Sequence, residues 1–253
     1  MTELSSARVT GSAMEIPEFL ITQVREGKVV LFLGSGASMD ATDTRGKKPP
    51  SANALADMLA DRFLSGKYKG YPLNQIAEYA ISESDLGTVQ AFIRDIFAPF
   101  EPSKAHELMT TFRWYGLATT NYDQIIEKAY SKNSAVQEPR PLIENTDRVE
   151  ENLRDPKYIL LLKLHGCISR ISNPNCPLIL TTEQYVEYRQ GRDVRGFENV
   201  EHRGIGEGAA PFVGIRNDNS KRSLTEARQN LHWLSIARLR LFDWLNCPSR
   251  CPQ

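Results

Sequence analysis

The sequence predicts an α/β protein, a Rossmann-like doubly wound parallel sheet with a helical insertion. Three observations predict it. Short continuous apolar runs at 29–33 and 158–162 have the length and purity of strands buried on both faces. Segments with helical spacing of apolar residues alternate with strand-like runs, the order expected when crossover helices join parallel strands. The runs also end in turn-forming polar segments, Gly34-Ser35-Gly36, Thr120-Asn121 and His165-Gly166, and ligands bind at strand carboxyl ends in this architecture.

Taken in order, Pro17 suits the first turn of a helix through Phe19, Leu20, Ile21 and Val24, ending near Gly27. Lys28 to Leu33 is the first strand, broken at Gly34. After a polar loop with Gly46 and Pro49-Pro50, residues Ala54, Leu55, Met58, Leu59 and Phe63 recur at helical spacing, with Ser51 or Asn53 as cap. Further helices are expected at 72–83, 86–97 and 103–112, so a helical insertion of about 53–112 separates the first two strands, longer than a simple crossover requires. Tyr115 to Thr120 reads as the second strand, Gln124 to Tyr130 as a helix and Tyr158 to Leu164 as the third strand. Pro177 to Leu180 reads as a fourth strand, followed by a helix from Thr182 to Arg189.

The chain changes character near residue 193. Residues 1–192 hold 12 Arg and 10 Lys, whereas 193–253 hold 8 Arg and one Lys, with Gly204, Gly206 and Gly208 close to the start of that segment. Leu224, Ala227, Leu231, Leu234, Ala237, Leu241 and Leu245 fit one amphipathic helix. The expected division is a catalytic domain at 1–192 and an atypical Arg-rich segment at 193–253, a curtailed or divergent end of the same domain.

Composition narrows the function by exclusion. With 31 basic and 31 acidic side chains the formal charge is zero, so the chain as a whole has no electrostatic footprint for nucleic acid or an anionic membrane. The amino terminus has neither a basic region nor an apolar core, and no apolar run approaches a membrane span. Four irregularly spaced cysteines do not form a disulfide framework. A cytoplasmic protein is expected.

Three segments can carry chemistry. The first strand runs into Gly34-Ser35-Gly36-Ala37-Ser38, where glycines allow positive φ and close approach, so that backbone N–H groups converge on a diphosphate. A tight strand-to-helix turn has the same residues; Met39 stands where a dinucleotide fingerprint has its third Gly, and no Gly-Lys-Ser/Thr follows. Thr119-Thr120-Asn121-Tyr122-Asp123 lies where a strand meets a helix. Asn and Asp cap helices there, yet Asn121 also offers donor and acceptor groups to a sugar hydroxyl or a water. His165, after Lys163-Leu164 and before Gly166, ends the most apolar strand, where a histidine is either a satisfied core residue or a base facing a ligand. His106, His202 and His232 have no such setting.

In this order the three segments resemble the sirtuin superfamily, over roughly residues 25–190. The wording Leu33-Gly34-Ser35-Gly36-Ala37-Ser38 and Thr120-Asn121-Tyr122-Asp123 is closest to the bacterial sirtuin-like proteins of antiphage defence, which are NAD hydrolases. Deacylase sirtuins carry a zinc held by two Cys pairs soon after the His-Gly; here only Cys167 and Cys176 stand there, and Cys247 and Cys251 lie far downstream, so neither a zinc ribbon nor any other metal is expected. The resemblance implies NAD as substrate, bound by Gly34, Ser35, Gly36, Ala37 and Ser38, by Thr120, and by Ser51 in a mobile loop from Gly46 to Leu55. Catalysis falls to Asn121, Asp123 and His165, with Asn121 and Asp123 facing the nicotinamide ribose and His165 as base. It further implies a homo-oligomer and a separate activator or partner protein of phage or host origin. A protein deacylase or ADP-ribosyltransferase, and a non-catalytic NAD or ADP-ribose sensor or assembly subunit, are the competing readings. The family's later closing strand with its following Asp has only a partial counterpart, Phe212-Val213-Gly214-Ile215-Arg216-Asn217-Asp218, without its Tyr-Ser.

Overall fold

A computed structural model of the chain describes residues 18–132, 135–144, 147, 149, 154–191 and 212–215. The described helices are α1 (Glu18–Arg25), α2 (Ala52–Phe63), α3 (Leu73–Glu83), α4 (Leu86–Phe97), α5 (Lys104–Met109), α6 (Ile125–Tyr130) and α7 (Thr182–Gly191). The strands β1 (Val30–Leu33), β2 (Gly116–Thr119), β3 (Glu138–Leu142), β4 (Tyr158–Lys163) and β5 (Phe212–Ile215) form one sheet in the order β3-β4-β2-β1-β5. Every pairing is parallel, so the architecture is the Rossmann-like α/β sheet that the sequence predicts.

The inner strands β1, β2 and β4 are mostly apolar because both of their faces are covered. Successive side chains alternate between faces. Leu31, Leu33, Leu117, Ile159 and Leu161 pack on one side with Ile126 and Tyr130 of α6. Ala118, Leu162 and Leu164 gather on the other with Phe32 and Leu142.

Helices α2 to α5 stand between β1 and β2, and α2 to α4 have a core of their own. Leu55, Leu59, Ile76, Val89 and Ile93 meet there, and the Phe63 and Phe92 rings pack edge to face at 5.6 Å. Polar caps fix the starts of these helices: the Ser51 hydroxyl accepts the Ala54 N–H on α2, and Asp85 accepts the Thr88 N–H on α4. His106 has a structural use, its Nδ1 accepting the Ser103 N–H at the start of α5.

Two elements depart from expectation. Pro177 to Leu180 is not the fourth strand, because no ladder reaches it. Its backbone bonds elsewhere: Leu178 N–H donates to the Gln90 side chain at 2.6 Å, Ile179 N–H to the His165 carbonyl, and the Ile179 carbonyl accepts the Tyr122 hydroxyl. Its apolar character comes from Leu178 and Leu180, which complete the core of the helical insertion. Conversely, β3 is not among the expected strands and carries Pro139 and Pro141; they are tolerated because β3 is the outermost described strand on its side.

At the other end of the sheet, Phe212 to Ile215 does form a strand, paired with β1 from Val30↔Phe212 to Leu33↔Ile215. The partial closing-strand match therefore holds the place of one. The Gly204–Gly208 segment, the apolar stripe from Leu224 to Leu245, and Cys247 and Cys251 lie outside the described residues.

Candidate functional site

Sheet register brings the three motif segments to one edge. Leu33 is level with Thr119, and Thr119 is level with Lys163. Ser35, Asn121 and His165 each stand two residues beyond that row, at the carboxyl ends of β1, β2 and β4. Ser35 to Asp40 forms a 3-10 turn that begins directly after Gly34.

The first two segments are joined by a directional chain of hydrogen bonds. Asn121 Nδ2 donates to the Gly34 carbonyl at 3.0 Å and to Ser38 Oγ at 2.8 Å, and Ser38 Oγ donates to Asp123 Oδ2 at 2.7 Å. The Gly34 carbonyl is only an acceptor, so the amide nitrogen of Asn121 must face it. Both amide hydrogens are thereby committed inward, and Asn121 Oδ1 has no partner among the described residues. Ser38, receiving one proton and giving its own, requires Asp123 as the acceptor. Asp123 is buried, with Oδ1 taking the Ile125 N–H at the start of α6.

Thr119 reinforces the same junction: its hydroxyl donates to the Leu33 carbonyl at 2.7 Å and accepts the Asn121 N–H at 3.0 Å. The glycines contribute differently from the expectation. Gly34 has φ −87°, and neither Gly34 nor Gly36 adopts a positive φ. The Ala37 N–H is taken by the Gly34 carbonyl, so Ser35 and Gly36 hold the first N–H groups of the turn, which have no acceptor within it.

His165 has an aromatic frame instead. It is half-buried, edge-on to Tyr185 at 5.0 Å and tilted against Tyr122 at 6.5 Å between ring centroids. Burial, with Tyr185 adding to it, pushes the Tyr122 phenol well above its ordinary range, so the hydroxyl stays protonated and holds the Ile179 carbonyl. Gly166 needs its lack of a side chain: its φ is +82°, and a Cβ there would stand 2.8 Å from the Pro177 carbonyl oxygen.

Beneath both loops lies Lys163, with no exposed surface. Its Nζ donates to the Asp123 carbonyl and pairs with Glu127 Oε1 at 3.2 Å. Burial works against the ammonium, but Glu127, then Cys167 and Asp123, outweigh it, and the group is held above its ordinary range. Glu127 Oε1 is also within 3.9 Å of the Cys167 thiol, while Oε2 is buried without a hydrogen-bond partner among the described residues.

Residues 116–207, from the first residue of β2 past the end of α7, match the family model of the SIR2-like domain. Over that stretch the chain is similar to the SIR2-like domain. The matched stretch contains Asn121, Asp123 and His165, and the loop at 34–38, which precedes it, is bonded to it by Asn121, Ser38 and Thr119. No curated protein matches the chain.

Of the residues singled out in the sequence, Gly34, Ser38, Asn121 and Asp123 are joined in one network, and His165 stands just past the carboxyl end of β4. Ser35, Gly36 and Ala37 belong to the same turn. Thr120 is half-buried beside Asn121, but the hydroxyl that bonds across to β1 is that of Thr119. Ser51 is exposed and caps α2. Sequence reasoning missed Thr119 and Lys163 as site-building residues; the signal for Lys163 was a charge set between Leu162 and Leu164 inside an apolar strand. Cys167 and Cys176 are both buried beside Ile143. Among the described residues no cluster of three or more His, Cys, Asp or Glu side chains could hold a metal ion, and no helix is long and apolar enough to cross a membrane. A separate open hollow of about 530 Å³ lies near the amino ends of β3 and β4, lined in part by Tyr130, Gln137 and Lys157, away from the strand carboxyl ends.

Proposed function

We propose that this chain is an NAD glycohydrolase that releases nicotinamide and ADP-ribose, acting as a bacterial antiphage effector. A SIR2-like domain implies NAD-related chemistry, and the wording of the loop motifs supports the defence role. The observation that carries the reading is the unpartnered Asn121 Oδ1, held at the strand ends by an amide whose hydrogens are both committed to Gly34 and Ser38. Such an oxygen can only accept, which suits a water or a ribose hydroxyl and not a phosphate.

In the proposed reaction the bond between the pyridinium nitrogen and ribose C1′ breaks, and its electron pair goes to the ring. Nicotinamide leaves neutral, so no acid is needed at that side. Positive charge grows on the ribose, a water held by Asn121 adds to C1′, and its proton passes to His165. A positioned base of this kind contributes roughly 10²–10⁴ in rate. The buried Asp123 carboxylate acts through Ser38, polarising the amide so that Oδ1 is a better acceptor. The diphosphate lies over the 34–38 turn, against the Ser35 and Gly36 N–H groups. Assembly into a homo-oligomer and control by a separate phage or host protein belong to the same proposal.

The deciding experiment is incubation of the purified protein with NAD, with free nicotinamide and ADP-ribose quantified against His165→Ala. Release that disappears in the variant supports the reading, and equal turnover by the two proteins overturns the site. Acyl-peptide turnover would mark a deacylase instead. Tight ADP-ribose binding with no nicotinamide release would mark a sensor.

A further inference from the structure

We infer that Lys163 is a positioning residue for the Asn121 amide, acting through Asp123 to orient the acceptor that faces the reacting sugar. The inference rests on the glycohydrolase reading only for the reaction it serves; the geometry is independent of it.

Lys163 stands on β4 two residues before His165, and its Nζ reaches across to the loop after β2, where it bonds the Asp123 carbonyl. It is thus the side chain that links the strand bearing His165 to the loop bearing Asn121. That bond fixes the backbone of Asp123, and with it the carboxylate, within reach of Ser38. Asp123 then takes the Ser38 proton, Ser38 takes an Asn121 proton, and the amide oxygen is left outward. Were the Asp123 backbone free to shift, Ser38 could turn its proton elsewhere, and the amide would lose its fixed polarity.

Stability does not account for the pair of Lys163 and Glu127. Replacing a buried ion pair by apolar residues of similar size is often neutral or stabilising. Here the network is also incomplete, since Glu127 Oε2 is buried with no hydrogen-bond partner among the described residues, a cost to folding rather than a gain. A polar cluster under the strand ends that weakens the core is expected where its charge serves the site.

The test replaces both partners together, Lys163→Met with Glu127→Met, because Lys163→Met alone strands a buried carboxylate and can unfold the chain. Two readouts are taken on the double variant, each beside the thermal midpoint. The first is the solvent exchange of the Asn121 side-chain amide, assigned by NMR through Asn121→Ala. The expected result is a cooperatively folded variant whose Asn121 amide exchanges at least about 10-fold faster than in the parent, since hydrogen-bonded amides must open to exchange. The second is NAD turnover, with kcat expected to fall about 100-fold and KM to move by less than about threefold, as when an interaction made in the transition state is lost. A folded double variant with an unchanged amide and full kcat overturns the positioning role. A parent protein that leaves NAD intact defeats the glycohydrolase reading, and the amide exchange still decides the role of Lys163.

Discussion

The carboxyl ends of β2 and β4 lie side by side, yet the contacts around Asn121 and His165, the residues proposed for chemistry there, differ in kind. Asn121 is fixed atom by atom: its N–H bonds Thr119, its amide bonds Gly34 and Ser38, and the line continues through Asp123 to buried Lys163. His165 is framed by the Tyr122 and Tyr185 rings and by a backbone bond from Ile179 to its carbonyl. An amide must present one particular atom, because its two ends have opposite polarity, and only directed bonds select between them. The Tyr122 and Tyr185 rings instead set the plane of the His165 imidazole. The same sheet edge therefore carries an amide fixed by directed bonds and an imidazole framed by rings.

Variants can break this comparison, and the largest effect is expected where chemistry is removed outright. Asn121→Ala and His165→Ala should each lower nicotinamide release by at least about 10³-fold, the joint scale of acid–base and electrostatic contributions. Asn121→Ala should also lower stability, by about 1–3 kcal/mol, because it strands Ser38 and the Gly34 carbonyl. A urea titration checks it; an unchanged midpoint would mean that the bonds of the amide contribute nothing to folding. Gly166→Ala comes next. A Cβ at φ +82° pressed to 2.8 Å from the Pro177 carbonyl should cost about 2–3 kcal/mol. A normal unfolding midpoint would show that the turn after His165 can relax.

Ser38→Ala sharpens the directional claim. It should cost about 1–2 kcal/mol and lower kcat more than it raises KM, since it cuts the line from Asp123 to Asn121 while leaving the 34–38 backbone in place. A pure KM effect would reassign the hydroxyl to cofactor contact.

The alkaline limb of stability tests the His165 side. The folded chain holds the Tyr122 proton above the ordinary value of 10.0, and Lys163 likewise above 10.5. Above those values the unfolded chain binds fewer protons than the folded one, so stability is full below about pH 10 and falls as pH rises further. Tyr122→Phe should flatten the first part of that decline in a series of denaturant titrations. The smallest effect belongs to Ser51: Ser51→Ala should cost about 1 kcal/mol and Ser51→Gly only a few tenths, the signature of a helix cap. A rise in KM for NAD in both variants would restore Ser51 to the cofactor loop.

Much of this molecule was legible because local pattern and tertiary role agree. The helices from Ala52 to Phe97 show their buried faces as spacing, and Asn121 and His165 could be singled out from position alone, each at a strand end. Elsewhere local pattern misleads. Leu178 and Leu180 are apolar because a helical core receives them, and four apolar residues cannot reveal whether their neighbours are strands or helices. Pro139 and Pro141 hide a strand because their effect depends on which side of it lies empty. Lys163 interrupts an apolar run, and the groups that pair with it there, Glu127 and the Asp123 carbonyl, are distant in sequence.

The two prolines of β3 have a further consequence for assembly. Glu138 directs its N–H toward the strand side of β4, donating to the Lys157 carbonyl, and alternate residues along a strand point opposite ways. Pro139 and Pro141 therefore occupy the outward positions, where they have no N–H to offer. That rim presents carbonyls alone, so it cannot template an incoming strand, and the chain is guarded there against runaway stacking.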